Sequence, residues 1–486
     1  MASTTGQATR RYLEAIDQRQ PGPVDWTLAP PRSKQYRDTT RTALPTTGPD
    51  AWRGDLLRGL LGLTRMSWKH PTNAAGRAIS GLRSVEVSRP VPSGGALYPI
   101  EAYLADDMAV HHYDTVHHAL ETVRDGDHRN AFPATAAADA AVILSAVFWR
   151  NGFKYRDFAY RLACQETGAL CAQALVLAES LGLNASIHLD FDGERADSLL
   201  GLDSTAEGTL AILTFSLGTG HAPRRSAGVP SNGQDVAQPT DPPISITRSL
   251  PRLAELHAAT RTPCAPPSSR SRQAPTPGEP AISLPQVADL DLARGIPHRA
   301  SPLNGYSRRP LTTTELAQIL AAARPGAQTT TDLHVLVWNV TDMPAGAYRY
   351  DRDWRALTGG GPPAIEAGPL RANTRHALCG AAAALVPVGA PLIEAAERGD
   401  LAYRLQQTET GMVAHRAALA AAALGLAGRI HSDGTNPTTD AVLGLADTPR
   451  RSLSLLLVGH PYPSGPTLMC RSDRGVTAPT VHNSKE

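Results

Sequence analysis

From Tyr160 the chain reads YRLACQETGALCAQALVLAESLGLNASIHLD, and 243 residues downstream, from Tyr403, it reads YRLQQTETGMVAHRAALAAAALGLAGRIHSD, with 14 of the 31 aligned positions identical. The shared positions include Glu166/Glu409, Gly168/Gly411, Leu183/Leu426 and His188/His431. The likeness runs on from SLLGLD at Ser198 to AVLGLA at Ala441, and from LAILTFSLG to SLSLLLVGH. Such a period is far too long for a solenoid unit, so each copy should be a whole domain. Two homologous halves joined in one chain predict an intramolecular pseudo-dimer.

Within each copy, small and apolar residues at three-four spacing predict one long helix, ended by Gly-Leu and followed by a short loop and a strand. Strand character marks Ala102 to Leu104, HHYD at His111 and LVWNV at Leu336. Strands interleaved with helices give an α+β or α/β layer fold. A length of 486 residues accommodates two or three domains at roughly 100–200 residues each. The expected division is a first domain at 1–225, a linker at 226–297 and a second domain at 298–486. Runs such as PTDPPISITR and TPCAPPSSRSRQAPTPGEP in the linker cannot bury enough apolar area to order themselves. One helical island there, LPRLAELHAAT from Leu250, either docks on a domain or serves as a spacer.

With 47 basic and 45 acidic residues the charge balance is +2, which gives no net drive toward nucleic acid or anionic membrane. The five cysteines show no CxxC and no Cys/His ligand spacing, so neither a disulfide framework nor a metal site is implied. Cys164 and Cys171 fall on one helix face and should pack in a core. The amino terminus has no apolar signal region, and no apolar run reaches the roughly 18 residues needed to span a bilayer. A soluble cytoplasmic protein is expected.

Two stretches carry candidate chemistry. The first is SRPVPSGGALYPIEAYL, from Ser88 to Leu104. Gly94 and Gly95 let the backbone take positive φ or approach a ligand closely, Pro92 and Pro99 stiffen the ends, and Leu97 and Tyr98 offer apolar contact to a ring. The segment is either a backbone platform for a flat cofactor or a Gly-rich turn before a strand. The second is Lys154-Tyr155 in FWRNGFKYRDFAYR. A lysine ammonium near a phenol favours the phenolate and makes Tyr155 a usable proton acceptor; the alternative is a lysine lying along a half-buried tyrosine. The repeat serves as a control, because positions 154 and 155 become Glu397 and Arg398 in the second copy, where RPGAQTTTDLHVLVW also lacks the Ser-Gly-Gly platform.

In order along the chain, DWTLAPP at Asp25, KQY at Lys34, LLRGLLGLTR at Leu56, RPVPSGGALYPIEAYL at Arg89, HHYD, FKYRDFAYR and the helix ending LGL resemble the SagB-type, McbC-like azoline dehydrogenases of the FMN-dependent nitroreductase superfamily. IPHRASPLNGYSRRPLTTTELAQIL at Ile296 resembles the arginine-serine element of nitroreductases, so the second copy looks like a diverged member. The resemblance implies an α+β fold of two tandem nitroreductase-like domains. It also implies oxidation of thiazoline or oxazoline rings to thiazoles or oxazoles in a ribosomally made peptide, as in thiopeptide-type antibiotic biosynthesis, with dioxygen reoxidising FMN.

Under that resemblance Lys154 and Tyr155 are the catalytic pair, Ser93, Gly94, Gly95, Ala96 and Leu97 face the flavin, and Arg89 lies near it. Arg299 and Ser301 reach the phosphate from the second copy, with Arg83, Arg224 and Arg225 as alternatives. His188 and His431, kept by both copies, are expected to be structural. The implied partners are an azoline-containing precursor peptide and a cyclodehydratase or other peptide-modifying enzyme. The duplication supplies one half to the other at high effective concentration and leaves association of two chains open. Competing readings are a nitroreductase using NAD(P)H and a non-catalytic scaffold of a peptide-modifying complex.

Overall fold

The computed structural model describes residues 5–19, 22–36, 38–69, 84–218, 236–262, 281–302, 305–323, 330–351, 356–359, 378, 380–432, 435–462 and 467–469. Arg83, Arg224 and Arg225 lie outside the described residues.

The first half runs α1 (Gln7–Asp17), β1 (Arg41–Ala43), α2 (Ala51–Leu61), β2 (Arg65–Lys69), β3 (Ser84–Ser88), β4 (Ile100–Ala105), β5 (Ala109–Asp114), β6 (Ala119–Asp125), β7 (Ala140–Val147), α3 (Phe148–Tyr155), α4 (Ala159–Ser180), β8 (Leu183–His188), α5 (Gly193–Leu200) and β9 (Glu207–Leu217). Two elements come from the expected linker: α6 (Pro251–Ala259) and β10 (Ala281–Ser283). The second half then runs α7 (Thr313–Ala322), β11 (Asp332–Val337), β12 (Gly346–Asp351), β13 (Ala356–Gly359), β14 (Ala383–Gly389), α8 (Pro391–Arg398), α9 (Leu401–Ala423), β15 (Ala427–His431), α10 (Pro437–Val442), β16 (Arg451–Ser452), β17 (Leu455–Gly459) and β18 (Thr467–Met469).

The repeat is realised strand for strand. One antiparallel sheet has the order β1-β6-β5-β4-β7-β9-β8 and the other β10-β13-β12-β11-β14-β17-β15, with β16 pairing β14 beside β17. Tyr103 faces Ile143 in the first sheet, and Val386, 243 positions after Ile143, faces His334 in the second. The fold is α+β, as two tandem domains of matching strand order.

The two copies of the repeated helix, α4 and α9, form the seam. Both are buried nearly all round, which explains their lack of a polar face. They cross where Gly168 meets Thr408 and Gly411 meets Gln165; a Cβ on either glycine would collide with the facing carbonyl oxygen. The contact is reciprocal, as in an isologous dimer interface. Gln165 Nε2 donates to Gln407 Oε1 at 2.8 Å, and Tyr12 of α1 packs edge-on against both Tyr160 and Tyr403. Cys164 and Cys171 are buried in the same helix.

The segment expected as a linker is built into both halves. Leu250, Leu253 and Leu256 are fully buried in the first core, and Asp157 Oδ1 accepts the Leu253 N–H at 2.8 Å, so the helical island docks. β10 supplies the edge strand of the second sheet by pairing with β13, which moves that sheet's start well before residue 298. The halves also share a sheet, since β18 pairs with β2 of the first half. No helix among the described residues is long and apolar enough to cross a membrane.

Candidate active site

A cavity of about 2060 Å³ is walled by both halves: the 88–98 stretch, Lys154, Tyr155 and Glu166 from the first, and Arg299, Ser301, His431 and Ser432 from the second. Ser93, Gly94, Gly95, Ala96 and Tyr98 belong to its wall, whereas Leu97 is buried behind it. Leu97 therefore packs into the protein instead of facing a ligand as expected.

The turn between β3 and β4 has an unusual backbone. Gly95, Ala96 and Tyr98 all have positive φ, of 66°, 56° and 51°, and residues with a Cβ hold that conformation only when their surroundings enforce it. The enforcement is visible. Ser93 Oγ accepts the Tyr98 N–H at 2.8 Å, Tyr98 OH accepts the Arg89 N–H at 3.2 Å, and Arg150 Nη1 donates to Tyr98 O at 2.8 Å. Arg150 is itself fixed by an ion pair with Glu101 at 2.6 Å, and Glu101 is linked through His112 to Glu121. Burial works to raise the Glu101 carboxyl, but Arg150, His112 and Arg89 hold it well below the usual carboxylate range. The Ala96 N–H closes the turn onto Ser93 O, so it is not among the donors left for a ligand.

Gly95 is where the two sequence signals meet. A Cβ there would sit 2.7 Å from both Lys154 Nζ and Tyr155 OH. Lys154 and Tyr155 end α3, and the ammonium lies 5.0 Å above the Tyr155 ring and 5.3 Å above the Trp26 ring. At the matching end of α8, Arg398 Nη1 instead pairs with Glu394 at 3.1 Å, both buried.

The repeated glutamates anchor corresponding turns. Glu409 accepts hydrogen bonds from the N–H and hydroxyl of Thr330 and from Thr331, just before β11. Glu166 stands against Ser93 and the Gly94 N–H before β4, yet its Oε2 is buried without a hydrogen-bond partner among the described residues. Burial pushes the Glu166 carboxyl up to about 8, against the opposing pull of Ser93, Arg89 and Gly94.

The arginines divide differently from expectation. Arg89 is buried and spends its guanidinium on the carbonyls of Arg32 and Ile100, so it braces the turn. Arg299 crosses from the second half and donates through Nε to Pro90 O at 2.8 Å, its guanidinium making no further hydrogen bond among the described residues. Burial and the neighbouring Arg65 guanidinium pull it down to about 10. Arg65 donates to the carbonyls of Pro297 and Arg299. Arg65, which ends the LLRGLLGLTR element, thus adds a further cation to the wall beside Arg299. Ser301 is exposed on the same wall. His431 lines the cavity, while His188 bonds Thr214 Oγ1 at 3.1 Å and does not; the shared histidines thus occupy unlike surroundings. Together these groups put the Ser93–Tyr98 turn, the Lys154-Tyr155 pair and the Arg65, Arg299 and Ser301 side chains on the wall of one cavity.

Known proteins share this framework. The chain is 29% identical over 147 residues to the microcin B17-processing protein McbC of Escherichia coli, covering 26% of this chain and 54% of that protein. It is 29% identical over 139 residues to the trifolitoxin-processing protein TfxB of Rhizobium leguminosarum bv. trifolii, covering 25% and 37%. The matches thus span about half or less of those curated relatives. A solved structure described as a nitroreductase, from Anabaena variabilis, superposes with a TM-score of 0.75 at 20% identity, covering 94% of this chain and 99% of that one. The tandem arrangement as a whole is therefore shared with that protein. The family description "Nitroreductase family" matches residues 73–219 and again 299–460. Matched once in each half and over more than half its length, the chain belongs to the nitroreductase family.

Proposed function

We propose that the chain is an FMN-dependent azoline dehydrogenase, oxidising thiazoline or oxazoline rings of a ribosomally made peptide to thiazoles or oxazoles. The observation that carries this reading is the convergence at Gly95, where the positive-φ turn abuts Lys154 Nζ and Tyr155 OH in one half. A hydride shuttle alone needs no placed base, whereas aromatisation of an azoline does. The names of McbC and TfxB, which process microcin B17 and trifolitoxin, support a modified peptide as substrate. A cavity of about 2060 Å³, against roughly 300–1,000 Å³ for a small-molecule pocket, leaves room for a length of peptide beside a cofactor.

The residues present suit FMN. The Ser93–Tyr98 turn offers a wall that a Cβ at Gly95 would obstruct, Glu166 Oε2 has no hydrogen-bond partner among the described residues, and Arg299, Arg65 and Ser301 gather cationic and hydroxyl groups for a phosphate. Bound there, FMN would supply the hydride acceptor and pass the electrons to dioxygen. Aromatisation removes two hydrogens from adjacent ring carbons, one as hydride and one as a proton. Tyr155 Oη takes the proton, and the Lys154 ammonium above its ring favours the phenolate that does so. The braced turn would supply one wall beside a bound flavin, with Arg150 and Ser93 holding that wall in place. Formation of the azoline beforehand calls for a ring-forming partner such as a cyclodehydratase.

Mass spectrometry of an azoline-bearing peptide incubated with flavin-loaded protein tests the reading. Loss of two hydrogens per ring is expected, and Lys154→Ala and Tyr155→Phe should keep the flavin spectrum while leaving the peptide mass unchanged. Unchanged mass with the unsubstituted, flavin-loaded protein on both thiazoline and oxazoline peptides overturns it. A colourless protein that cannot be reconstituted with FMN would favour a scaffold.

A further inference from the structure

The segment DWTLAPP has no part in the chemistry assigned so far, yet it places its tryptophan against the proposed catalytic lysine. Trp26 opens a single 3-10 turn, Trp26–Leu28, and is 55% exposed. A large aromatic on the surface is ordinary if it is loose. Trp26 is held on several sides. Asp25 Oδ1 accepts the Thr27 N–H at 3.0 Å and the Thr27 hydroxyl at 2.6 Å, and Trp149 Nε1 donates to Leu28 O at 3.1 Å. The indole meets Phe153 edge-to-face with centroids 5.6 Å apart. What this scaffold presents is a π-face 5.3 Å from Lys154 Nζ, with the Tyr155 ring 5.0 Å from the same ammonium.

We propose that Trp26 is a positioning residue, sharing the Lys154 ammonium with the Tyr155 ring and holding it charged above the Gly95 turn. The electrostatics are those of a cation–π contact, in which the ring quadrupole attracts a cation within about 6 Å of the centroid. The choice of lysine agrees with this role. The sequence has four lysines, at 34, 69, 154 and 485, among 47 basic residues, so arginine is the rule and a compact ammonium the exception. The second copy has Glu397-Arg398 in place of the Lys-Tyr pair, and by the same offset Trp26 falls on Ser269. The inference rests on the dehydrogenase reading for its catalytic meaning, but the placement of the ammonium can be measured without it.

Trp26→Ala and Trp26→Phe are compared with the unsubstituted protein in full-length, flavin-loaded form. The first readout is the acetylation rate of Lys154 by N-acetoxysuccinimide at fixed pH, followed by peptide mass spectrometry with Lys485 as internal reference. Loss of the indole should raise that rate about two- to fivefold, the size of a partly exposed cation–π contact, and phenylalanine should restore most of the protection. The second readout is azoline oxidation. Trp26→Ala should lower kcat severalfold at unchanged KM, and Trp26→Phe should recover it. An unchanged acetylation rate in Trp26→Ala overturns the proposal. A rise in KM at unchanged kcat also overturns it, because Trp26 would then be contacting the peptide. If acetylation responds as expected but no azoline is oxidised by any form, the dehydrogenase reading fails while the placement of Lys154 stands.

Discussion

Glu166 has the most telling position of any single side chain at the site. Its carboxyl, pushed up to about 8 from an ordinary 4.5, keeps a proton in the folded protein that the unfolded chain releases. Stability contributed at this position is therefore highest below about pH 4.5 and declines as pH rises through 8. Glu166→Gln, which keeps the shape without the charge, should flatten that decline. Melting temperatures compared at pH 6 and pH 9 should diverge less in the variant than in the parent, and equal divergence would refute the assignment. The sequence made Glu166 visible as a repeated residue but not its environment, which depends on a turn some seventy positions earlier. Lys154, Tyr155 and Gly95 were legible because glycine at a tight turn and an adjacent cation and phenol are local signals. Leu97 was not, since whether a side chain faces a cavity or the protein depends on what packs around it, and the bracing contacts of Arg89, which does line the cavity, depend on partners such as the Arg32 carbonyl, distant in the chain.

At the level of elements, α4 and α9 approach so closely at Gly168 and Gly411 that substitution should reverse the usual helix rule. Alanine normally stabilises a helix interior by about 1 kcal/mol over glycine. Here Gly168→Ala drives a methyl into the Thr408 carbonyl and should cost about 1–3 kcal/mol, the range for overpacking; urea denaturation measures it, and a stabilised variant would contradict the crossing. Helix α6 provides an acid-sensitive counterpart. Burial pushes its His257 down to about 3 from 6.5, and both ring nitrogens are buried without hydrogen-bond partners among the described residues. The unfolded chain binds the proton first, so stability falls as pH drops from 6.5 toward 3. His257→Phe should reduce that loss, and hydrogen exchange across Pro251–Ala259 at pH 7 and pH 4 should register it, with an undiminished acid response counting against the docked histidine. The helical pattern of α6 could be read from spacing. Edge strand β10 could not, because three partly exposed residues become a strand only through pairing with β13.

Across the whole molecule, each half has its own hydrophobic core, but the shared helix seam, the α1 contacts to both halves and the β18–β2 pairing couple the two so that neither is free to melt separately. Thr9 of α1 donates to Asp400 through both its N–H and its hydroxyl at 2.7 Å. A single cooperative calorimetric transition, independent of protein concentration, is expected; two resolved transitions would show that the halves unfold apart. The internal repeat predicted the pseudo-dimer because identity at Glu166/Glu409 and Gly168/Gly411 falls on residues that meet at or near the seam. The strand exchange near the carboxyl terminus was not legible, since nothing in a three-residue strand announces its distant partner.

The mismatch between the ends of α3 and α8 has a consequence for heredity. A homodimer displays every mutation twice, so a residue used on one side must be tolerated at the equivalent position on the other. Joining the copies in one gene lifts that restraint: Lys154-Tyr155 and Glu397-Arg398 sit at equivalent positions of the repeat, and each can mutate without dragging its twin along.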